Sequence, residues 1–84
     1  MTTYSENSLS LDEIKTGDHA IFQANTALKE TASRLVSLGF TPGVNIEMTQ
    51  NYGRGPLLVT LRGTRVALGR QEAKNIIVKK DPSL

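Results

Sequence analysis

The chain has no cysteine and no tryptophan, and only one histidine, two phenylalanines and two tyrosines among its 84 residues. Without thiols there is neither a disulfide framework nor a thiolate metal site, which fits a reducing compartment, with the cytoplasm as the default expectation. A nucleophilic enzyme needs a hydroxyl or thiol beside a base. The single imidazole, His19, has no serine signature near it, so the chain reads as non-catalytic. An excess of one charge is also lacking: ten Lys and Arg stand against eight Asp and Glu, and a net charge of +2 is too small to argue for nucleic acid by itself. No apolar run approaches the roughly 18 residues of a membrane helix. The first eight residues, Met-Thr-Thr-Tyr-Ser-Glu-Asn-Ser, lack the basic and apolar regions of a secretory signal.

What is present is densest between Ser33 and Gly43, Ser-Arg-Leu-Val-Ser-Leu-Gly-Phe-Thr-Pro-Gly. Leu35, Val36 and Leu38 lie on a helical stretch. Gly39 can take the left-handed conformation that ends it, and Phe40 follows as the apolar residue that folds back on the last turn. Pro42 and Gly43 then suit the two central positions of a type II turn, which launches Val44 as a strand.

A chain of 84 residues forms one small domain that buries roughly 60% of its unfolded surface. The expected boundaries are a flexible tail over 1–9, a folded unit over 10–80 and a flexible tail over 81–84. Ser10 and Glu13 have the spacing of a capping box, and Leu11 and Ile14, three apart, dock one helical turn on the core. His19 to Ala24 reads as the first strand. Asn25 or Thr26 then caps a helix over about 27–38, with Leu28, Ala32 and Leu35 on its inward stripe, Val36 and Leu38 widening it, and Glu30 paired with Arg34 toward solvent. Val44 to Gln50 alternates as a half-buried strand, with Val44, Ile46 and Met48 inward.

Asn51 to Pro56 holds two glycines and a proline in six residues, so it reads as a loop and as the most mobile part of the chain. Leu57 to Arg62 and Thr64 to Leu68 form a hairpin in which Gly63 takes the first central position of a type II′ turn. Arg70 to Lys74 is one short helical turn, and Ile76 to Lys79 is the last strand. Five short strands in so small a chain favour a partly open antiparallel barrel, mainly β, with one helix after the first strand closing an open side.

Acidic residues fall early, at Glu6, Asp12, Glu13 and Asp18. From Arg54 onward the chain carries Arg54, Arg62, Arg65, Arg70, Lys74, Lys79 and Lys80 against Glu72 and Asp81. The Asp12-Glu13 pair lies on a surface turn and reads as a helix start rather than as an acid–base pair. Gly53-Arg54-Gly55-Pro56 leads into a strand, whereas a phosphate loop must feed a helix N-terminus.

The ordered set of these elements resembles the ferrous iron transport protein A (FeoA) family. It is carried by Arg34-Leu35, Leu38-Gly39-Phe40-Thr41-Pro42-Gly43, the alternating strand, the Gly-Pro loop, Arg62-Gly63-Thr64-Arg65-Val66-Ala67-Leu68 and Gln71-Glu72-Ala73-Lys74-Asn75-Ile76-Ile77-Val78. The resemblance covers residues from about Ser10 to Lys79. It implies an SH3-like barrel and a small cytoplasmic accessory of bacterial ferrous iron uptake, whose partner is the cytosolic GTP-binding part of an inner-membrane iron permease.

Ferrous iron favours two imidazoles and a carboxylate on one face. One histidine does not supply that set, and Asp18 and His19 with Asp12 or Glu13 offer at most a weak divalent site, so no cofactor or metal is expected. The working part is then the surface. Tyr52 and Arg54 on the loop and Arg62 and Arg65 beside the hairpin turn are residue types that dominate interface energetics. Leu38, Phe40 and Pro42 form a second, apolar candidate at the corner. A free edge strand offers weak self-association. The competing reading is a small basic barrel that binds RNA or single-stranded nucleic acid, for which aromatic stacking residues are scarce.

Overall fold

The computed structural model describes residues 8–81, which form one antiparallel sheet of six strands in the order β1-β6-β2-β3-β4-β5. The strands are β1 (Ser8–Ser10), β2 (His19–Asn25), β3 (Asn45–Gln50), β4 (Leu57–Leu61), β5 (Thr64–Leu68) and β6 (Ile76–Lys80). The sheet curls around its apolar face without closing, so β1 and β5 are left as edges. Register shifts between Phe22 and Ala24 and between Met48 and Gln50 mark bulges, which add the local bend a small curled sheet needs. The expected tails lie outside the described residues apart from Ser8, Leu9 and Asp81. The strand beyond the expected five is β1, where Leu9 sits opposite Val78 of β6. Three residues with one apolar side chain carry no legible alternation, and the partner strand supplies the pattern.

The inner face is wholly hydrophobic. Ala20 and Phe22 of β2, Ile46 and Met48 of β3, Leu57, Val59 and Leu61 of β4, Val66 and Leu68 of β5, and Ile76 and Val78 of β6 are all buried. Among the described residues no polar or charged residue is buried with them. The capping box forms as expected: the Ser10 N–H donates to Glu13 Oε2 at 2.9 Å at the start of a 3₁₀ turn, Leu11–Glu13. Leu11 and the following Ile14 are buried. This turn packs against the short helix α2 (Arg70–Lys74), so the two small helical pieces lie together over the core.

The main helix, α1 (Lys29–Ser37), is shorter than the expected 27–38. Its N-cap position is Leu28, with no side-chain cap bond, and neither Asn25 nor Thr26 caps it. Asn25 Oδ1 instead accepts from the Ala27 N–H at 2.7 Å, and Thr26 turns to Asn75, whose carbonyl accepts the Thr26 N–H at 2.8 Å. The inward stripe also differs. Leu35 is fully buried, but Leu28 is 84% and Val36 57% exposed. A helix resting on a small curled sheet contacts it along a line narrower than the apolar stripe, so only the residue above the core is covered. The Glu30–Arg34 pair gives way to an ion pair between Arg34 and Glu72 of α2.

The corner after α1 follows the sequence closely. Gly39 has φ +108°, its N–H donates to the Val36 carbonyl, and the Phe40 N–H donates to the Leu35 carbonyl at 3.0 Å. These are the two bonds of a Schellman stop, with Leu35 and Phe40 both buried beneath it. The type II turn comes next, with Gly43 at φ +89° and the Val44 N–H on the Thr41 carbonyl at 3.0 Å.

The β4–β5 hairpin departs from expectation. Leu61 pairs with Thr64, so Arg62 and Gly63 are the two central residues, with φ +51° and +77°. Two successive positive φ values define type I′, not II′, and Gly63 occupies the second central position rather than the first. Its twist matches that of the strands, which offsets the modest strain of an arginine in the left-handed region.

Candidate docking surface

The seven residues singled out by sequence fall into three groups in the structure. Phe40 is one of them that the fold withdraws: it is 1% exposed and its ring packs against Phe22 with centroids 6.2 Å apart. A side chain used as the helix-stop anchor is committed to the core and leaves the docking set. Leu38, at 36% exposure, and Pro42 remain at the surface of the corner.

Arg62 joins that corner to the hairpin. Its Nη2 donates to Thr41 Oγ1 at 2.9 Å and its Nε reaches the Gly39 carbonyl at 3.5 Å, so the guanidinium bridges the helix stop and the tip of β4–β5. The two candidate patches, hairpin and corner, are therefore one end of the molecule. The absence of a side chain at Gly39 permits this, since a Cβ there would lie 3.3 Å from Arg62 Cδ and from Leu61 Cδ1. Arg65 follows three residues after Arg62 on β5, exposed and opposite Thr60.

Tyr52 and Arg54 lie at the other end of β4, and so do not share a contact site with Leu38, Pro42 and Arg62. Tyr52 is 74% exposed. The loop that carries it is tethered to neighbouring elements by hydrogen bonds. Asn51 Nδ2 donates to the carbonyls of Asp12 (3.1 Å) and Ile14 (2.7 Å), while its Oδ1 accepts from the Gly53 N–H (2.9 Å) and from Arg70 Nη2 (2.8 Å). Arg70 Nε adds a bond to the Gly55 carbonyl at 3.3 Å. One amide thus connects the 3₁₀ turn, the loop and α2. The Asn-x-Gly pattern of residues 51–53 is the sequence signal for its local part, the turn in which Asn51 accepts from Gly53. The long-range bonds had no local signal.

The groups weighed for a divalent ion are engaged elsewhere. His19 Nδ1 lies 3.0 Å from Asn45 Oδ1, Asp18 pairs with Lys80 at 3.3 Å, and Glu13 caps the 3₁₀ turn. Among the described residues no three His, Asp or Glu side chains converge to hold a metal. Stacking on bases also has little support, because Phe22 and Phe40 are buried and Tyr52 is the one exposed aromatic among the described residues. No described helix is long and apolar enough to cross a membrane.

Comparison with known proteins agrees with this architecture. A family model described as the FeoA domain matches residues 9–80. The crystal structure of an iron uptake regulatory protein (FeoA) superposes with a TM-score of 0.80 at 30% identity, covering 88% of this chain and 97% of that one. The zinc complex of Stenotrophomonas maltophilia FeoA, described as a prokaryotic SH3-domain protein and a candidate ferrous iron transport activating factor, gives 0.77 at 33% identity over 84% and 89% of the two chains. Chlorobium tepidum FeoA gives 0.79 at 27% identity over 86% and 70%. No curated protein matches the chain. With an SH3-like fold, six short strands and the domain matched over nearly its whole length, the chain belongs to the FeoA family, associated with ferrous iron transport.

Proposed function

We propose that this protein is a non-catalytic accessory of bacterial ferrous iron uptake that docks, in the cytoplasm, on the GTP-binding part of the inner-membrane iron permease and modulates transport. Its contribution is differential binding energy: a module that prefers one conformation of its partner shifts that partner's equilibrium without performing chemistry. The observation that carries the reading is the union of corner and hairpin through Arg62, which presents Leu38, Pro42, Arg62 and Arg65 on one braced end of the barrel. Arginine supplies directional hydrogen bonds at interfaces, and a rigid scaffold lowers the ordering cost of binding. The relative described as a candidate transport activating factor shares this fold and a third of the aligned sequence.

The test is a titration of the full chain against the permease's GTP-binding domain and against the intact transporter, by calorimetry and by co-purification. Binding by wild type is expected, with Leu38→Ser and Arg62→Ala each weakening it about tenfold, a change of about 1.4 kcal/mol. Tyr52→Ala and Arg54→Ala, at the far end of β4, report whether the loop also touches the partner. If wild type binds neither target, the docking reading fails.

A further inference from the structure

We propose that the free edge of β5 accepts an extended acidic segment of a partner protein as an additional strand. The inference rests on the docking reading and specifies its mode. β5 has β4 on one side and, among the described residues, no strand paired on the other. Leu61 and Thr64 close the two-residue turn, and the ladder continues through Val59 with Val66 and Leu57 with Leu68. The alternation of antiparallel bonding then turns the N–H and C=O of Thr64, Val66 and Leu68 toward β4 and those of Arg65 and Ala67 outward. Arg65 and Ala67 are both exposed. Small β proteins usually protect such an edge with proline, a bulge or a covering loop. β5 has no proline, and its pairing with β4 runs without a register shift.

Charge decides the occupant. Between Glu47 and Glu72 there is no acidic residue, while Arg54, Arg62, Arg65 and Arg70 all fall there, spread along the hairpin and its two ends. Among the described residues none of these four is ion-paired: the two salt bridges join Arg34 to Glu72 and Lys80 to Asp18. A strand added at Arg65 and Ala67 would lie beside Arg65 and extend between the turn that carries Arg62 and the end that carries Arg70, in a stretch with no acidic residue, so carboxylates on the incoming chain gain attraction. A second copy of this chain fits less well, because pairing β5 with β5 through Arg65 and Ala67 sets the two Arg65 side chains diagonally across one face and brings two acid-free segments together. RNA offers charge but no peptide groups for the outward N–H and C=O, and Tyr52 alone among the described residues is available for stacking.

The probe is a blocked octapeptide alternating glutamate and threonine, with the matching lysine–threonine peptide as control, added to the isotopically labelled full chain. The expected result is slowing of amide exchange at Arg65 and Ala67 by about tenfold or more, with Thr64, Val66 and Leu68 already protected. The lysine peptide is expected to have no effect. Ala67→Pro removes an outward N–H at a position that an edge strand tolerates, and Arg65→Glu reverses the charge without touching the core; each is expected to abolish the protection. Protection confined to residues 51–56 or to α1, self-association through β5, or tighter binding of oligouridylate than of the acidic peptide overturns the inference. The same two variants titrated against the permease's GTP-binding domain separate the two readings. A domain that binds wild type and Ala67→Pro equally but is weakened by Leu38→Ser and Arg62→Ala keeps the docking reading and removes the edge, whereas a domain that does not bind wild type removes the docking.

Discussion

Two helical pieces of this protein invert the usual relation between length and weight. The 3₁₀ turn Leu11–Glu13 has three residues and, with Ile14, buries two large side chains; α1 has nine and buries one, Leu35. The turn is held by what lies beneath it. The helix is held at its ends: at the start by Thr26 on Asn75, near its close by Arg34 on Glu72, and at the exit by the Schellman bonds of Gly39 and Phe40. An amphipathic stripe therefore reports where a helix is able to pack, while the width of the surface below decides how much of it does.

Removing apolar side chains is the severest test of this contrast. Leu11→Ala and Leu35→Ala are each expected to cost about 3 kcal/mol, read as a fall in the urea midpoint at unchanged slope. A cost for Leu11→Ala well below that for Leu35→Ala would break the comparison.

The exit of α1 gives the next largest effect. Gly39 and Gly43 both have positive φ, but a Cβ at Gly43 meets open space, whereas one at Gly39 presses on Leu61 and Arg62. Gly43→Ala is expected to cost about 1 kcal/mol from backbone strain alone and Gly39→Ala about 2 kcal/mol. Equal losses in a thermal melt would show that Arg62 yields without resistance.

Glu72→Gln keeps an acceptor for the Gly69 N–H and removes the ion pair to Arg34. With Arg34 half exposed, the expected loss is under about 1 kcal/mol and shrinks further in high salt, as paired melts at low and high ionic strength would reveal. Smallest of all, Leu28→Ala and Val36→Ala are each expected to change stability by less than about 0.5 kcal/mol. A larger loss at either position in the isolated chain would mean that the exposed stripe is packed in solution.

The legible parts of the fold were those in which neighbouring residues suffice. Gly39-Phe40, Pro42-Gly43, Ser10 with Glu13 and the alternation of Ile46 and Met48 each state a local geometry, and each forms as read. The type of the hairpin turn was misread because Gly63 fits either central position of a tight turn. Only the pairing of Leu61 with Thr64 distinguishes them. β1, the Arg34–Glu72 pair and the bonds of Asn51 to the 3₁₀ turn and α2 join segments remote in sequence, and no local pattern encodes such a match. For the candidate surface, residue chemistry identified the exposed arginines and Tyr52. It did not show that Arg62 belongs with Leu38 and Pro42, or that Phe40 lies beneath them.

The contact of Arg62 with Gly39 couples the two positions unequally. A side chain at 39 would press on Arg62 Cδ and on Leu61 Cδ1 at 3.3 Å while holding φ +108°, so shortening position 62 removes one obstacle and leaves the backbone and Leu61 standing. The hairpin tip can change without the helix stop, but the stop gains little licence from the tip.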